Sequence, residues 1–157
     1  AMKTTLLQVG KPTDKYFLAG INDYAERISH YMPMETVTIA ETKNTKSLTV
    51  EQQKTIEGEQ ILKQVRPTDT LVLLDEHGSE FTSLQFAAWL ERQRNSAKRL
   101  ILAIGGPYGF SKQVYDRAND KISLSRMTFS HQMIRLIISE QIYRACTIIK
   151  GEPYHHE

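Results

Sequence analysis

The chain has 157 residues and a mass of 18.0 kDa, with 40% hydrophobic and 24% charged residues, enough apolar content for one domain with a core of its own. No apolar run approaches the roughly 20 residues of a membrane-spanning helix, and the first twenty residues lack the charged, apolar and small-residue zones of a secretory signal. A single cysteine, Cys146, excludes an internal disulfide, and no Cys/His group has zinc-ligand spacing. The expectation is one cytoplasmic, metal-free domain over residues 2–157, with no membrane partner and with Ala1 reading as a cloning remnant ahead of Met2.

Net charge is only +2, but it is unevenly placed. Residues 1–80 carry 9 basic and 12 acidic groups, and residues 81–157 carry 11 basic and 6 acidic. A polyanionic partner is therefore expected to approach the C-terminal half.

In chain order, the β-branched and leucine run Thr4–Val9, closed by Gly10 and Pro12, predicts a strand. Phe17, Ile21, Tyr24 and Ile28 recur at helical spacing and predict a helix over Asp14–Tyr31, which Pro33 ends. Thr36–Ala40 alternates like a half-buried or edge strand, and Glu41–Thr49 is polar and reads as a loop. A second helix runs from Val50 to Val65, with Gly58 a weak point inside it. Thr70–Asp75 is nearly all apolar, as a parallel strand covered on both faces should be. Thr82 and Gln85 form a capping-box pattern that opens a helix to Arg94. Leu100–Ile104 is the next buried strand, followed by the loop Gly105-Gly106-Pro107-Tyr108-Gly109-Phe110. Ser111 caps a short helix to Ala118, Lys121–Leu124 is a last strand, and a long helix covers Ser130–Ile149. Strand and helix alternate throughout, which predicts an α/β fold with a mostly parallel sheet and helices on both faces.

Ligands of such sheets bind beyond the carboxyl ends of the strands. Three of those ends have unusual content: Leu74-Asp75-Glu76-His77-Gly78, the Gly105–Gly109 loop, and Leu124-Ser125-Arg126-Met127-Thr128-Phe129. The double glycine is expected to let a ligand approach bare backbone. No Gly-x-Gly-x-x-Gly follows the first strand, and neither a phosphate-binding Gly-x4-Gly-Lys-Ser/Thr nor a Gly-x-Ser-x-Gly elbow occurs. A ligand with an adenosine part and no phosphate to cradle fits these absences, and S-adenosylmethionine is such a ligand.

On the long helix, Ile134, Ile137, Ile138, Ile142, Ala145, Ile148 and Ile149 form one apolar arc, with Leu136 and Tyr143 together on another side. The second zone implies another helix, a twin subunit or the C-terminal tail as its cover. Glu140 and Arg144 are four apart and able to pair. His30 and His77 read as surface groups, and His131 as a capping or orienting group at a helix start. The tail from Gly151 to Glu157, with Tyr154, His155 and His156, is suited to stack on and hydrogen-bond a nucleobase.

Several motifs occur together and in order: Met2-Lys3 leading into Gly10-Lys11, Leu73-Leu74-Asp75, and Ile104-Gly105-Gly106-Pro107 with Gly109. They continue with Ser123-Leu124-Ser125, Met127-Thr128-Phe129 and His131, then Glu140-Gln141-Ile142-Tyr143-Arg144-Ala145 and Pro153-Tyr154-His155. Over essentially its whole length the chain resembles the bacterial 23S ribosomal RNA (pseudouridine-N3) methyltransferases of the SPOUT superfamily. The resemblance implies a C-terminal trefoil knot, a homodimer packed through helices, and S-adenosylmethionine held by Leu74, Gly105, Leu124, Ser125, Arg126, Met127, Thr128 and Phe129. It also implies a pseudouridine of 23S rRNA in assembled ribosomes as substrate. Candidates for anchoring and polarising that base are Arg144, Tyr154 and His155, with His155 either proton acceptor or clamp. Two other classes compete: a non-catalytic RNA- or nucleotide-binding α/β dimer, and an oxidoreductase or hydrolase on a flavodoxin-like sheet.

Overall fold

Successive side chains of a strand enter opposite layers, and the apolar pairs along this chain are divided in that way. Leu6, Leu100, Leu102 and Ile104 join one buried cluster, and Leu7, Ile101 and Ala103 join the other. The computed structural model describes residues 2–156; Ala1, with its reading as a remnant, and Glu157 lie outside them. Five strands, β1 (Lys3–Val9), β2 (Met34–Ile39), β3 (Thr70–Glu80), β4 (Arg99–Ile104) and β5 (Asp120–Ser123), form one sheet in the order β2-β1-β4-β3-β5. Every pairing is parallel. Helices α1 (Lys15–Ser29), α3 (Ser83–Ser96) and α5 (His131–Lys150) pack together on one face, and α2 (Val50–Lys63) and α4 (Lys112–Arg117) on the other. A 3-10 turn, Thr45–Ser47, interrupts the polar loop after β2.

Local chemistry accounts for the boundaries. The Thr82/Gln85 capping box forms as expected, and a second one joins Thr49 to Gln52 at the start of α2. Ser111 caps α4, and Ser130, not His131, caps α5 by accepting from the Met133 amide at 3.3 Å. Gly58 is a site of close approach: a Cβ there would lie 3.2 Å from Val114 Cγ2 and meet the Ser111 hydroxyl. The helix propensity it sacrifices lets α2 and α4 touch.

One expectation changes, and one that stood open between several covers is resolved. β3 does not stop at Asp75 but continues to Glu80, with an irregularity between Leu74 and Ser79 where its register against β5 shifts. The Asp75 carboxylate accepts from the His77 amide at 2.8 Å, a local turn that displaces the strand before it pairs again. The later residues are polar and pair through backbone alone, so no hydrophobic period marks them. The second apolar zone of α5 is covered within the same chain. Leu136 packs on Gly20 of α1, and the Tyr143 ring lies 5.9 Å from that of Tyr24 and 6.1 Å from that of Tyr31. A twin subunit is not needed to cover that side.

At the opposite end of the sheet from the candidate loops, the buried Asp69 carboxylate accepts from the Arg66 amide at 2.8 Å and from Arg99 Nη1 at 3.0 Å. Arg99 also donates to the Gln64 carbonyl, tying the end of α2 to β4. Asp69→Ala is expected to cost about 1.5–3 kcal/mol of stability, the range for a hydrogen bond to a charged group, without altering ligand binding at the other end. Urea unfolding of the variant beside the parent chain measures it.

Candidate active site

The loops after β3, β4 and β5 meet around a cavity of about 460 Å³, the size of a site for a nucleoside-scale ligand. Leu74, Gly105, Leu124, Ser125, Met127, Thr128 and Phe129 all line it, with Asp75, Tyr108, Tyr115, His131 and Ile134 completing much of the wall. Of the eight sequence-predicted cofactor residues, Arg126 alone is not in the lining. Its side chain is 87% exposed and ion-paired with Glu80 at 3.5 Å. Ser125 shapes the third loop: its hydroxyl accepts from the Met127 amide and its carbonyl from Ser123 Oγ, both at 2.9 Å.

The double glycine lines the cavity and is also packed from behind. A Cβ on Gly106 would collide with the Glu57 carboxylate, and one on Gly105 would lie 3.2 Å from the Phe110 ring. The bare backbone admits protein side chains, which fix the loop from behind, and the Gly106 amide donates to Glu57. Burial pushes the Glu57 carboxyl above its ordinary range.

Acidic groups mark one side of the cavity. Asp75 is engaged on both oxygens, one taking the His77 amide and the other the Tyr115 hydroxyl. Burial and Asp75 together raise the Tyr115 hydroxyl, so it stays a donor. Glu76 is more open and lies 3.5 Å from His77 Nε2. A carboxylate pair at the rim suits a ligand carrying positive charge, as a sulfonium and an α-amino group do.

Arg144, Tyr154 and His155 are brought together with Glu140. Arg144 donates to Glu140 Oε1 from Nε at 3.0 Å and from Nη2 at 2.6 Å, and the Tyr154 hydroxyl donates to the same oxygen at 3.2 Å. The guanidinium lies 4.8 Å from the Tyr154 ring centroid. Gly151, in the left-handed region at φ 74°, closes α5 and turns the tail back so that Tyr154 meets Tyr143 edge-on at 4.7 Å. Burial and the partner groups raise the Tyr154 hydroxyl to about 12, keeping it protonated. Arg144 Nη1 lies 2.9 Å from His155 Nδ1. A guanidinium only donates, so Nδ1 accepts and the neutral ring carries its proton on Nε2.

These three residues do not reach the cavity of their own chain. None of them lines it, and Arg144 follows the wall residue Ile134 by ten positions on α5, about 15 Å of helical rise. The spacing of Glu140 and Arg144 made their pairing legible in sequence, but nothing in sequence placed the pair relative to the loops.

His131 forms part of the cavity wall and donates to the Gly105 carbonyl; burial and then Arg135 hold its imidazole below the ordinary value. A depressed folded-state value stabilises the fold above the unfolded value and loses that contribution as pH falls through it. From about pH 7 to about pH 5, bracketing the ordinary histidine value, His131→Asn is expected to lose stability less steeply than the parent. Thermal unfolding across that window measures the difference.

Residues 2–155 match the family described as "Predicted SPOUT methyltransferase". The chain is 59% identical over 157 residues to the Ribosomal RNA large subunit methyltransferase H of Bacteroides fragilis, covering 99% of this chain and 100% of that protein. The protein of the same name from Cytophaga hutchinsonii is 53% identical over 156 residues, and that of Porphyromonas gingivalis 49% over 157, each with 99% and 100% coverage. A match running from the first strand to the tail, at such identity, includes the three loops and the tail cluster alike: the chain belongs to the SPOUT methyltransferases.

Proposed function

We propose that the chain is a single-domain, S-adenosylmethionine-dependent methyltransferase acting on N3 of a pseudouridine in 23S ribosomal RNA, in assembled ribosomes of the cytoplasm. The observation that carries this is the meeting of three strand-end loops around one cavity of nucleoside size, beside a separately built cluster of donors at the end of α5. The names of the relatives support ribosomal RNA as substrate. When bound, S-adenosylmethionine supplies the electrophilic methyl carbon. Leu74, Gly105, Leu124, Ser125, Met127, Thr128 and Phe129 would hold it, with Asp75 and Glu76 favouring its cationic end. The family's trefoil knot would run through these same loops, with β5 beside β3 and α5 returning across the opposite layer.

The acting form is a homodimer in which the tail of one protomer serves the cavity of its partner. Two observations support this. The Arg144–Tyr154–His155 cluster stands well away from its own cavity, and large apolar groups are exposed at or near the cavity mouth: Met127 at 77%, Tyr108 at 51% and Met133 at 37%. Exposed apolar groups gathered in one place mark contact surfaces. Arg144 and His155, with Tyr154 bracing Glu140, would then present donors to the carbonyls that flank N3, drawing charge onto them as the N3 proton passes to solvent water. Preorganised donors of this kind are worth about 10²–10³ in rate each, and alignment of the reacting atoms is worth on the order of 7–11 kcal/mol.

His155→Ala and Arg144→Ala are expected to lower methylation of ribosomes by about 10²-fold or more while calorimetry shows S-adenosylmethionine binding unchanged. Unchanged turnover would remove either residue from the mechanism. Mass mapping of 23S rRNA after reaction identifies the methylated nucleotide, and an unmodified RNA leaves the binding dimer as the reading. Co-refolding Arg144→Ala with the cavity variant Thr128→Trp tests the shared site. Activity must reappear in the mixture if cluster and cavity come from different protomers, and must stay absent if one chain supplies both.

A further inference from the structure

Chain connections diverge between β1 and β4. The chain leaves β1 for α1 on one face and leaves β4 for α4 on the other, and open α/β sheets bind ligands in such a crevice. The candidate active site lies to one side of it, beyond β3, β4 and β5. The crevice itself contains a second cavity of about 360 Å³, reaching from Lys11 after β1 and Glu41 after β2 to Glu57 on α2 and Arg135 on α5. Gly106 and His131 belong to the walls of both cavities.

Arg135 is the unexplained group there. It is 3% exposed, donates from Nη2 to the Val9 carbonyl at 2.6 Å, and leaves Nε with no partner among the described residues. Burial lowers its affinity for its proton, and the charge of Glu41 opposes that. A buried donor without an acceptor is costly, and the guanidinium that carries it forms part of the cavity wall. The groups facing it define that ligand. Glu41 and Glu57 disfavour a phosphate, and Lys11 and Arg135 disfavour a cation. A neutral ring remains, with carbonyls for Arg135 and Lys11 and an N–H for Glu57. The imide edge of a uracil-type base alternates acceptor, donor and acceptor in that way.

We propose that this second cavity receives an unstacked uracil-type base of the RNA, read on its imide edge by Arg135, Glu57 and Lys11. RNA bases are read by proteins in this manner, extruded from loops. The inference rests on the reading of the chain as an RNA methyltransferase and adds a base-recognition site on the far side of the Gly106–His131 wall. The occupant is a neighbour of the methylated base in the same strand, because a base whose N3–H faces Glu57 cannot present N3 to the first cavity.

The test uses isotope-labelled full-length protein titrated with uridine, N3-methyluridine and inorganic phosphate. Uridine is expected to shift the Thr13, Thr42 and Gln53 amides saturably, and N3-methyluridine, which lacks the imide N–H, to bind about tenfold or more weakly. Lys11→Ala should weaken uridine to a similar extent with S-adenosylmethionine affinity intact, which also shows that it folds. Crosslinking to this cavity is expected from RNA carrying 4-thiouridine beside the target, and a crosslink from the target position alone would overturn the assignment. No uridine shift at these amides, equal binding of the methylated nucleoside, or the same shifts with phosphate would overturn the assignment. Failure of uridine to bind while ribosomes are still methylated removes the second cavity alone. Uridine binding without RNA methylation removes the functional reading alone.

Discussion

The structure depends on one close approach, the seating of the Glu57 carboxylate against Gly106 where no Cβ exists. That contact joins α2 to the loop after β4 from behind, while His131 holds the neighbouring Gly105 carbonyl from the start of α5 and Phe110 covers the Gly105 face. Three elements therefore converge on two consecutive residues, and the loop has little freedom to collapse into either space beside it. A buried carboxylate is a costly way to fix a loop. Its raised proton affinity is the record of that cost. An apolar side chain would have packed more favourably but could not have accepted the Gly106 amide.

Helix α5 distributes the chemistry along its length. Its first turn brings His131 to the wall and Arg135 to the crevice, its middle is apolar on both flanks and packs between α1 and α3, and its last turns carry Glu140 and Arg144. The left-handed Gly151 then reverses the chain so that Tyr154 and His155 join that pair. A single rigid helix thus fixes the distance between loop cavity and donor cluster.

Much of this was legible in the residues because strand, helix and cap each leave a local pattern. The apolar runs of β3 and β4, the Thr82/Gln85 box and the Ser111 cap all appear where they were expected. The far half of β3 did not show, since polar residues that pair only through backbone carry no period. Arg135 did leave a signal that was passed over. It lies three residues before Ile138 and seven before Ile142, on the buried stripe, where a cation must have a reason. Glu57, four before Ile61, carries the same signal on α2. The meaning of the double glycine was not accessible, because whether a ligand or a carboxylate fills the bare side is decided by a helix some fifty residues earlier in sequence.

Charge counts do not show how the cations are used. The basic excess of the C-terminal half suggested a phosphate-binding surface, but its arginines are largely engaged within the chain. Arg99 holds Asp69 and Glu35, Arg117 donates to the Arg66 and Asp69 carbonyls, Arg135 is buried, and Arg144 is held by Glu140. Arg126 pairs with Glu80 and Lys112 with Asp116 on the surface. A chain whose cations serve its own carbonyls and carboxylates has fewer to exchange for counterions on RNA. Binding of RNA by such a chain then depends less on long-range attraction than its charge count suggests.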